Sequence, residues 1–98
     1  MTGMSDGANL SDARDRAVDE LLVGLPRRIV CERERSNLTV PAAADRAGFE
    51  PAYWHKLEKG RIRKPGIRSL LLVQYALGLE SLEPLFGEPS GRRLSEEP

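Results

Sequence analysis

The chain has 98 residues and a formal net charge of zero, with 40% apolar and 31% charged residues. This length allows one domain with a single modest core, and the composition is typical of a folded globular protein rather than a disordered one. No apolar run reaches the roughly 20 residues of a membrane helix, and the N-terminus lacks a signal-peptide pattern, so we expect a cytoplasmic protein. The single cysteine, Cys31, excludes an internal disulfide.

The charges are unevenly distributed along the chain. Residues 1–20 and residues 80–98 each hold five acids and two bases, whereas residues 51–75 hold six bases and one acid. A basic segment between acidic ends indicates a local anion-binding face. A solvated surface that is merely basic would have the same composition, and the neutral total argues against nucleic acid as a first interpretation. Both interpretations stay open on charge alone.

Two helices are predicted in the first third of the chain. Apolar residues recur at helical spacing from Val18 to Leu25, which predicts a helix over 12–23. Pro26 interrupts this pattern, and proline is well tolerated in the first turn of a helix. We therefore predict a second, separate helix over 26–36.

Residues 38–60, LTVPAAADRAGFEPAYWHKLEKG, have the pattern of two short helices joined by a tight turn. Thr39 is a good N-cap for the first helix, and Glu50 stands where it can cap the second. Gly48 supplies the turn because glycine adopts positive φ without steric cost. Gly60 ends the second helix. Two short helices around a glycine-centred turn are the helix-turn-helix arrangement.

These residues resemble the Cro/phage-repressor type of helix-turn-helix, also called the XRE family, over residues 25–87. The motif residues are, in order, Leu38-Thr39, Ala42 to Ala44, Ala47-Gly48, Tyr53 and Leu57-Glu58-Lys59-Gly60, followed by Pro65 and by Gly78 within ALGL. The resemblance implies an all-α, five-helix repressor-like domain, to which 12–23 adds an extra N-terminal helix. The domain would span 11–87, between a disordered N-terminus at 1–10 and a disordered tail at 88–98.

The resemblance also implies a DNA-binding transcriptional regulator, a repressor, that reads double-stranded DNA with the helix 51–59 and grips the phosphate backbone with the loop 60–66. The base-facing residues would be Ala52, Tyr53, His55 and Lys56. The backbone contacts, which read no sequence, would come from Thr39, Lys59, Arg61, Arg63 and Lys64. Glu58 is expected to hold an arginine of the preceding helix, such as Arg28.

The chain departs from the family pattern where bases are read. Family members often have glutamine at the position of Val40 and polar side chains at the positions of Pro51 and Ala52. Trp54 stands where a buried aliphatic is usual and Ala43 where leucine is usual, so the indole is expected to fill the vacated volume. Specificity would then depend on few contacts, on DNA shape or on dimer spacing. The alternative is a protein-interaction module on the same scaffold, with Val40, Pro51, Ala52 and Trp54 as its binding face.

The helix after Pro65 has more apolar residues than one core face needs. If Leu70 points to the core, Ile67, Val73, Gln74 and Leu77 lie on the same side at 100° per residue. A second apolar sector would then need a cover, either the 12–23 helix or a second subunit. We favour a homodimer. The expected dimer or helix interface is Leu71, Leu72, Tyr75, Leu82, Leu85 and Phe86.

No motif indicates catalysis. The only histidine, His55, and the only cysteine lie in separate predicted helices, without a nucleophile–base arrangement. Phosphate-loop, dinucleotide and metal-ligand motifs are not found in the sequence. We therefore expect no enzyme activity, no cofactor and no metal. The expected partners are double-stranded DNA and a second copy of the chain, with a protein partner as the alternative and no membrane.

Overall fold

The computed structural model describes residues 2–87, with side chains from residue 12 onward, and this part of the chain is all-helical. The five helices are α1 (Thr2–Arg35), α2 (Val40–Ala47), α3 (Pro51–Glu58), α4 (Ile67–Leu77) and α5 (Glu83–Phe86). The all-α class is confirmed. The helix-turn-helix arrangement is also present, formed by α2 and α3.

Helix α1 is continuous through Pro26, where the sequence predicts separate helices over 12–23 and 26–36. An interior proline lacks the N–H of its helical hydrogen bond and costs about 3 kcal/mol. Leu25 and Ile29 are both buried, so the helix is fixed to the core directly before and one turn after the proline. This burial offsets the cost. The extra N-terminal helix is therefore the first half of α1 rather than a separate element.

The ends of the chain differ in what is described. The backbone of residues 2–10 lies within α1, whereas the sequence predicts disorder there. Extending an existing helix toward its N-terminus needs no new nucleation step, so weak helix formers can still join it. The tail predicted to be disordered, 88–98, lies outside the described residues.

Helix α1 accounts for most of the length of the molecule. A helix of 34 residues is about 51 Å long at about 1.5 Å per residue, and the molecule's longest dimension is 55 Å.

The core is assembled around α1 and α3. Helix α1 packs against α3 and α5, while α2 packs against α3 and α4. Trp54 is the largest fully buried side chain, and Ala43 is fully buried in the same cluster, as the exchange of volumes between these positions predicts. The buried apolar residues are Leu25, Ile29, Ala43, Ala44, Ala47, Trp54, Leu57, Leu70, Val73, Ala76, Leu77 and Leu85.

Helix α4 turns a different face to the core from the one predicted. Val73 and Ala76 are fully buried beside Leu70 and Leu77, so the core face is centred about 60° from Leu70, toward Val73. Ile67, predicted to be in the core, is therefore 63% exposed. Leu72, predicted to be in the uncovered sector, packs partly buried against the core instead.

Helix α5 covers α1 within the chain. Leu85 is fully buried, and Leu82 and Phe86 pack against the core as partly buried side chains. The sequence predicted that these three residues lie at either a dimer interface or a helix interface, and in the structure they lie at a helix interface. The residues of the α4 sector that stay uncovered are Leu71 and Tyr75, which are 50% and 71% exposed.

Candidate nucleic-acid interface

Thr39 and Gly48 cap α2 as predicted, whereas the predicted cap from the Glu50 side chain is not formed. Thr39 precedes α2 in extended conformation, and its Oγ1 accepts a hydrogen bond from the Ala42 N–H at 3.2 Å. Gly48 follows α2 with φ of 79°, in the left-handed region. Glu50 occupies the N-cap position of α3, but its side chain makes no capping bond. Its carbonyl instead accepts the N–H groups of residues 53 and 54, at 2.9 and 3.2 Å. The turn geometry is therefore fixed by local sequence.

Glu58 is the only acid in the basic segment, and it points into the protein. Its Oε2 accepts hydrogen bonds from the Arg33 Nε at 2.6 Å and from the Trp54 Nε1 at 2.7 Å, and its Oε1 accepts from Arg33 Nη2 at 3.2 Å. Arg33 also donates to the Leu38 carbonyl at 2.9 Å. The side chains of Arg33 and Glu58 are only 15% and 7% exposed. This cluster ties the end of α3 to the end of α1.

The partner of Glu58 is Arg33, so the prediction of Arg28 was wrong. Leu25 and Ile29 face the core, and Arg33 continues their spacing of four residues, which puts it on the same face of α1. This spacing is visible in the sequence and identifies the correct arginine. The hydrogen bond to Glu58 raises the pKa of the Arg33 guanidinium, against the lowering effect of burial. Arginine therefore remains charged here at any physiological pH.

The bases of the segment point outward. The ion pairs among the described side chains are Arg14–Asp15, Arg33–Glu58 and Arg35–Glu32. The five bases of residues 56–64 belong to none of these pairs, and all are exposed: Lys56, Lys59, Arg61, Arg63 and Lys64. Since the acid is turned inward and the bases outward, the edge formed by α3 and the following loop carries a positive charge that the neutral total conceals.

Gly60 sets the direction in which the loop leaves α3. Its φ is +75°, and a Cβ at this position would lie 3.5 Å from Cγ of Pro26 on α1. The Arg61 N–H donates to the Lys56 carbonyl at 2.9 Å, which closes the last turn of α3. The basic loop is thus held against α1 at its first residue.

The exposed face of α3 is short and carries few hydrogen-bonding groups. Ala52, His55, Lys56 and Lys59 are exposed and follow helical spacing along one face. Lys56 and His55 are the polar side chains near its middle, and Ala52 offers only a methyl group. This face and the loop are continuous in the chain. Thr39 is also exposed, at the N-terminus of α2, and its hydroxyl hydrogen remains available to donate.

Tyr53 is engaged within the protein. Its hydroxyl lies 3.1 Å from Ser69 Oγ on α4, and its ring packs edge-on against Phe49 with centroids 4.8 Å apart. The side chain is half-buried and joins α3 to α4. Val40 is half-buried against the core and likewise does not extend outward. We therefore assign Tyr53 to the positioning of α3 rather than to its exposed face.

Arg68 extends the basic surface beyond the predicted residues. It is exposed in the first turn of α4, directly after the loop. It is one of the six bases of residues 51–75, but no role was predicted for it. Its position three residues after Pro65, at the start of the next helix, was the available signal.

A tight helix–turn–helix pair, held by a buried Arg–Glu–Trp cluster and edged with unpaired bases, defines a helix-turn-helix domain of the kind that DNA-binding regulators carry. The helix-turn-helix domain family matches residues 31–80, just over half of the chain, and the chain belongs to this family. The match agrees with the resemblance to the XRE type. Domains of this family are typically non-enzymatic. No curated protein and no solved structure matches the chain.

No helix among the described residues is both long and apolar enough to cross a membrane. Within the same residues, His, Cys, Asp and Glu side chains do not gather in threes where a metal ion would be held.

Proposed function

We propose that the protein is a cytoplasmic transcriptional repressor that binds double-stranded DNA through α3 and the loop 60–66. The observation that carries this proposal is the separation of charge at Glu58: the one acid of the segment is buried by Arg33 and Trp54, while five neighbouring bases are exposed and outside every described ion pair. Exposed bases along a helix end and its following loop supply the cations that contacts to a phosphate backbone require.

The loop supplies affinity and α3 supplies the reading of bases. Arg61, Arg63 and Lys64 bind phosphates, which sets the register of the protein on the duplex without reading its sequence. Lys56 donates to guanine O6 or N7 in the major groove, and the Ala52 methyl contacts a thymine methyl. His55 adds a polar contact beside Lys56. The small number of these groups makes sequence readout modest.

Two subunits acting together would recover the specificity that one lacks. Helical recognition modules on a two-fold axis read half-sites about one DNA turn apart, roughly 34 Å, so spacing becomes part of the readout. The exposed apolar residues of α4 offer a surface for such pairing. Repression needs no further chemistry, because a dimer that occupies a promoter prevents polymerase from binding there.

The direct test is a titration of fluorescent duplexes by anisotropy over a salt series. One duplex carries the DNA upstream of the protein's own gene, and the other a random sequence of equal length. We expect tighter binding to the upstream DNA, with log affinity falling linearly as log salt rises. If the folded protein shows no salt-dependent binding to either duplex at low ionic strength, DNA binding is refuted and the protein-interaction module becomes the better explanation.

A further inference from the structure

The first half of α1 lies alongside the basic loop. One groove between them is lined by Asp19, Leu22 and Pro26 of α1 and by Arg63 and Lys64 of the loop. Farther toward the N-terminus a second groove is lined by Asp15, Val18 and Asp19, opposite Lys64 and Pro65. The helix that extends the domain therefore borders the surface proposed to bind phosphates.

The face of α1 that borders the loop is acidic. At 100° per residue, Asp12, Asp15 and Asp19 lie within about 80° of Leu22 and Pro26, which line the groove. We call these three aspartates the acidic stripe. All three are exposed. Arg14 lies in the outer groove and pairs with Asp15 at 3.9 Å, both side chains being 72% exposed, so the stripe keeps most of its negative charge.

The acidic stripe and the loop are neighbours without being paired. No described ion pair joins Asp15 or Asp19 to Arg63 or Lys64, so their charged atoms are more than 4 Å apart. A phosphate that reaches Arg63 or Lys64 would therefore come near carboxylates that no loop cation neutralises at close range. Like charges in water repel over about one Debye length, which is about 10 Å at 0.1 M salt.

We propose that the acidic stripe is an autoinhibitory element that weakens the binding of DNA phosphates to the loop. This inference rests on the proposed function. The repulsion acts on the backbone, so it lowers the affinity for every duplex regardless of sequence. Random DNA then competes less for the protein, and stable binding depends on the additional contacts of the preferred site.

The test compares two double variants of the full chain that remove the same charge. Asp15→Asn with Asp19→Asn neutralises the stripe beside the loop. Glu20→Gln with Glu80→Gln is the control: Glu20 lies on the α5 side of α1, and Glu80 follows the end of α4 remote from the loop. Circular dichroism establishes that both are folded, and anisotropy with random duplex measures the affinity.

We expect the stripe variant to bind random duplex about threefold to tenfold more tightly than wild type at about 50 mM salt, with the difference vanishing by about 500 mM as screening increases. The control variant should stay within about twofold of wild type, because Glu20 is on the α5 side of α1 and Glu80 follows the C-terminal end of α4, whereas the loop precedes its N-terminal end. Equal affinity of the two variants would overturn the inference while leaving the proposed function intact. If wild type and both variants all fail to bind at low salt, the proposed function fails and the inference falls with it.

Discussion

Glu58 determines how much positive charge the α3–loop edge exposes. As a surface carboxylate it would neutralise one neighbouring base, but Arg33 and Trp54 hold it inside the protein. The ion pair removes one base and one acid from the surface and leaves the five exposed bases intact. A single side chain thus serves both packing and the electrostatics of the site.

Replacing Glu58 tests this cluster. Glu58→Gln keeps the shape but leaves the Arg33 charge largely buried without a partner, which should lower the free energy of unfolding by about 3 kcal/mol, the low end for a broken buried pair, since the arginine is 15% exposed. Urea unfolding followed by circular dichroism measures it. Glu50→Gln, at an exposed position without a side-chain cap, is the control and should change stability by less than about 0.5 kcal/mol. Equal stability of the two variants would contradict the assignment.

Trp54 allows the core to be tested independently of charge. The side chain is fully buried, so its fluorescence should be blue-shifted, and Trp54→Ala should cost about 3–5 kcal/mol. Trp54→Phe retains most of the packing and loses part of the ring volume and the N–H bond to Glu58, so it should be less damaging than Trp54→Ala. Emission near that of free indole would instead put the ring on the surface and favour a role in binding.

The bases of the loop should act through phosphates alone. Arg61→Ala with Arg63→Ala removes up to two ionic contacts per subunit, so the slope of log affinity against log salt should fall by about 1.8, equally for upstream and random duplex. Arg16→Ala with Arg27→Ala, exposed bases on α1, is the matched control and should leave the slope unchanged. Lys56→Ala should differ by costing about 1–3 kcal/mol on the preferred site and less on random DNA. A loop variant with the wild-type slope would refute the phosphate contacts.

At the scale of the element, the turn between α2 and α3 depends on the backbone of Gly48. Its φ is +79° and nothing lies within 4 Å of a Cβ added there, so substitution strains the backbone without any clash. Gly48→Ala should destabilise by about 1–2 kcal/mol. Gly24→Ala is the control, since Gly24 lies inside α1 with equally open surroundings, and it should stabilise by about 0.5–1 kcal/mol. Thermal unfolding of both variants tests this prediction, because the two substitutions should change stability in opposite directions.

The elements that sequence predicts well are those fixed by local chemistry. Thr39 and Gly48 mark the ends of α2 because capping and left-handed turns involve residues only a few positions apart. The break predicted at Pro26 did not occur, because burial on both sides of the proline is a tertiary effect that overrides propensity. The outward turn of Ile67 was missed for the same reason: the packing partners of α4, rather than its apolar pattern, choose which face is buried.

The candidate site likewise combines features that the sequence predicts with features that depend on tertiary contacts. The exposed bases of 56–64 follow from composition, since charged side chains remain in water unless a partner holds them. That Glu58 holds an arginine of the first helix was predicted, whereas the identity of that arginine depends on which face of α1 is buried. The half-buried position of Tyr53 depends in the same way on Ser69, which lies on another helix. Long-range pairing is what sequence pattern alone specifies least.

At the scale of the whole molecule, neutrality is the sum of separated charges. The acidic stripe of α1 and the bases of the α3–loop edge both count toward the neutral total, but they lie on distinct surfaces that meet along a groove. Such a molecule presents a basic edge without the general attraction to polyanions that a large net positive charge produces. Overall charge is therefore a poor guide to what this chain binds.

The other feature of the whole molecule is an uncovered apolar stripe on α4, formed by Ile67, Leu71 and Tyr75, which are 63%, 50% and 71% exposed. The three residues recur every fourth position, so they span about 12 Å of one helix face. A two-fold axis through Leu71 would place Ile67 against the partner's Tyr75 and Leu71 against the partner's Leu71, which makes the stripe self-complementary. We therefore expect a homodimer formed through α4.

The strength expected of this dimer follows from its area. Three partly exposed side chains bury well under the roughly 800 Å² per partner of a standard stable interface, so association should be weak, with self-association appearing at tens of micromolar. Sedimentation velocity over a concentration series measures it. Leu71→Glu with Tyr75→Glu should give a folded monomer, because association would bury unpaired carboxylates. Val23→Glu, at an 80% exposed apolar position on α1, is the control and should still dimerise. A wild type that remains monomeric at several hundred micromolar would refute the dimer, and half-site spacing would then contribute nothing to specificity.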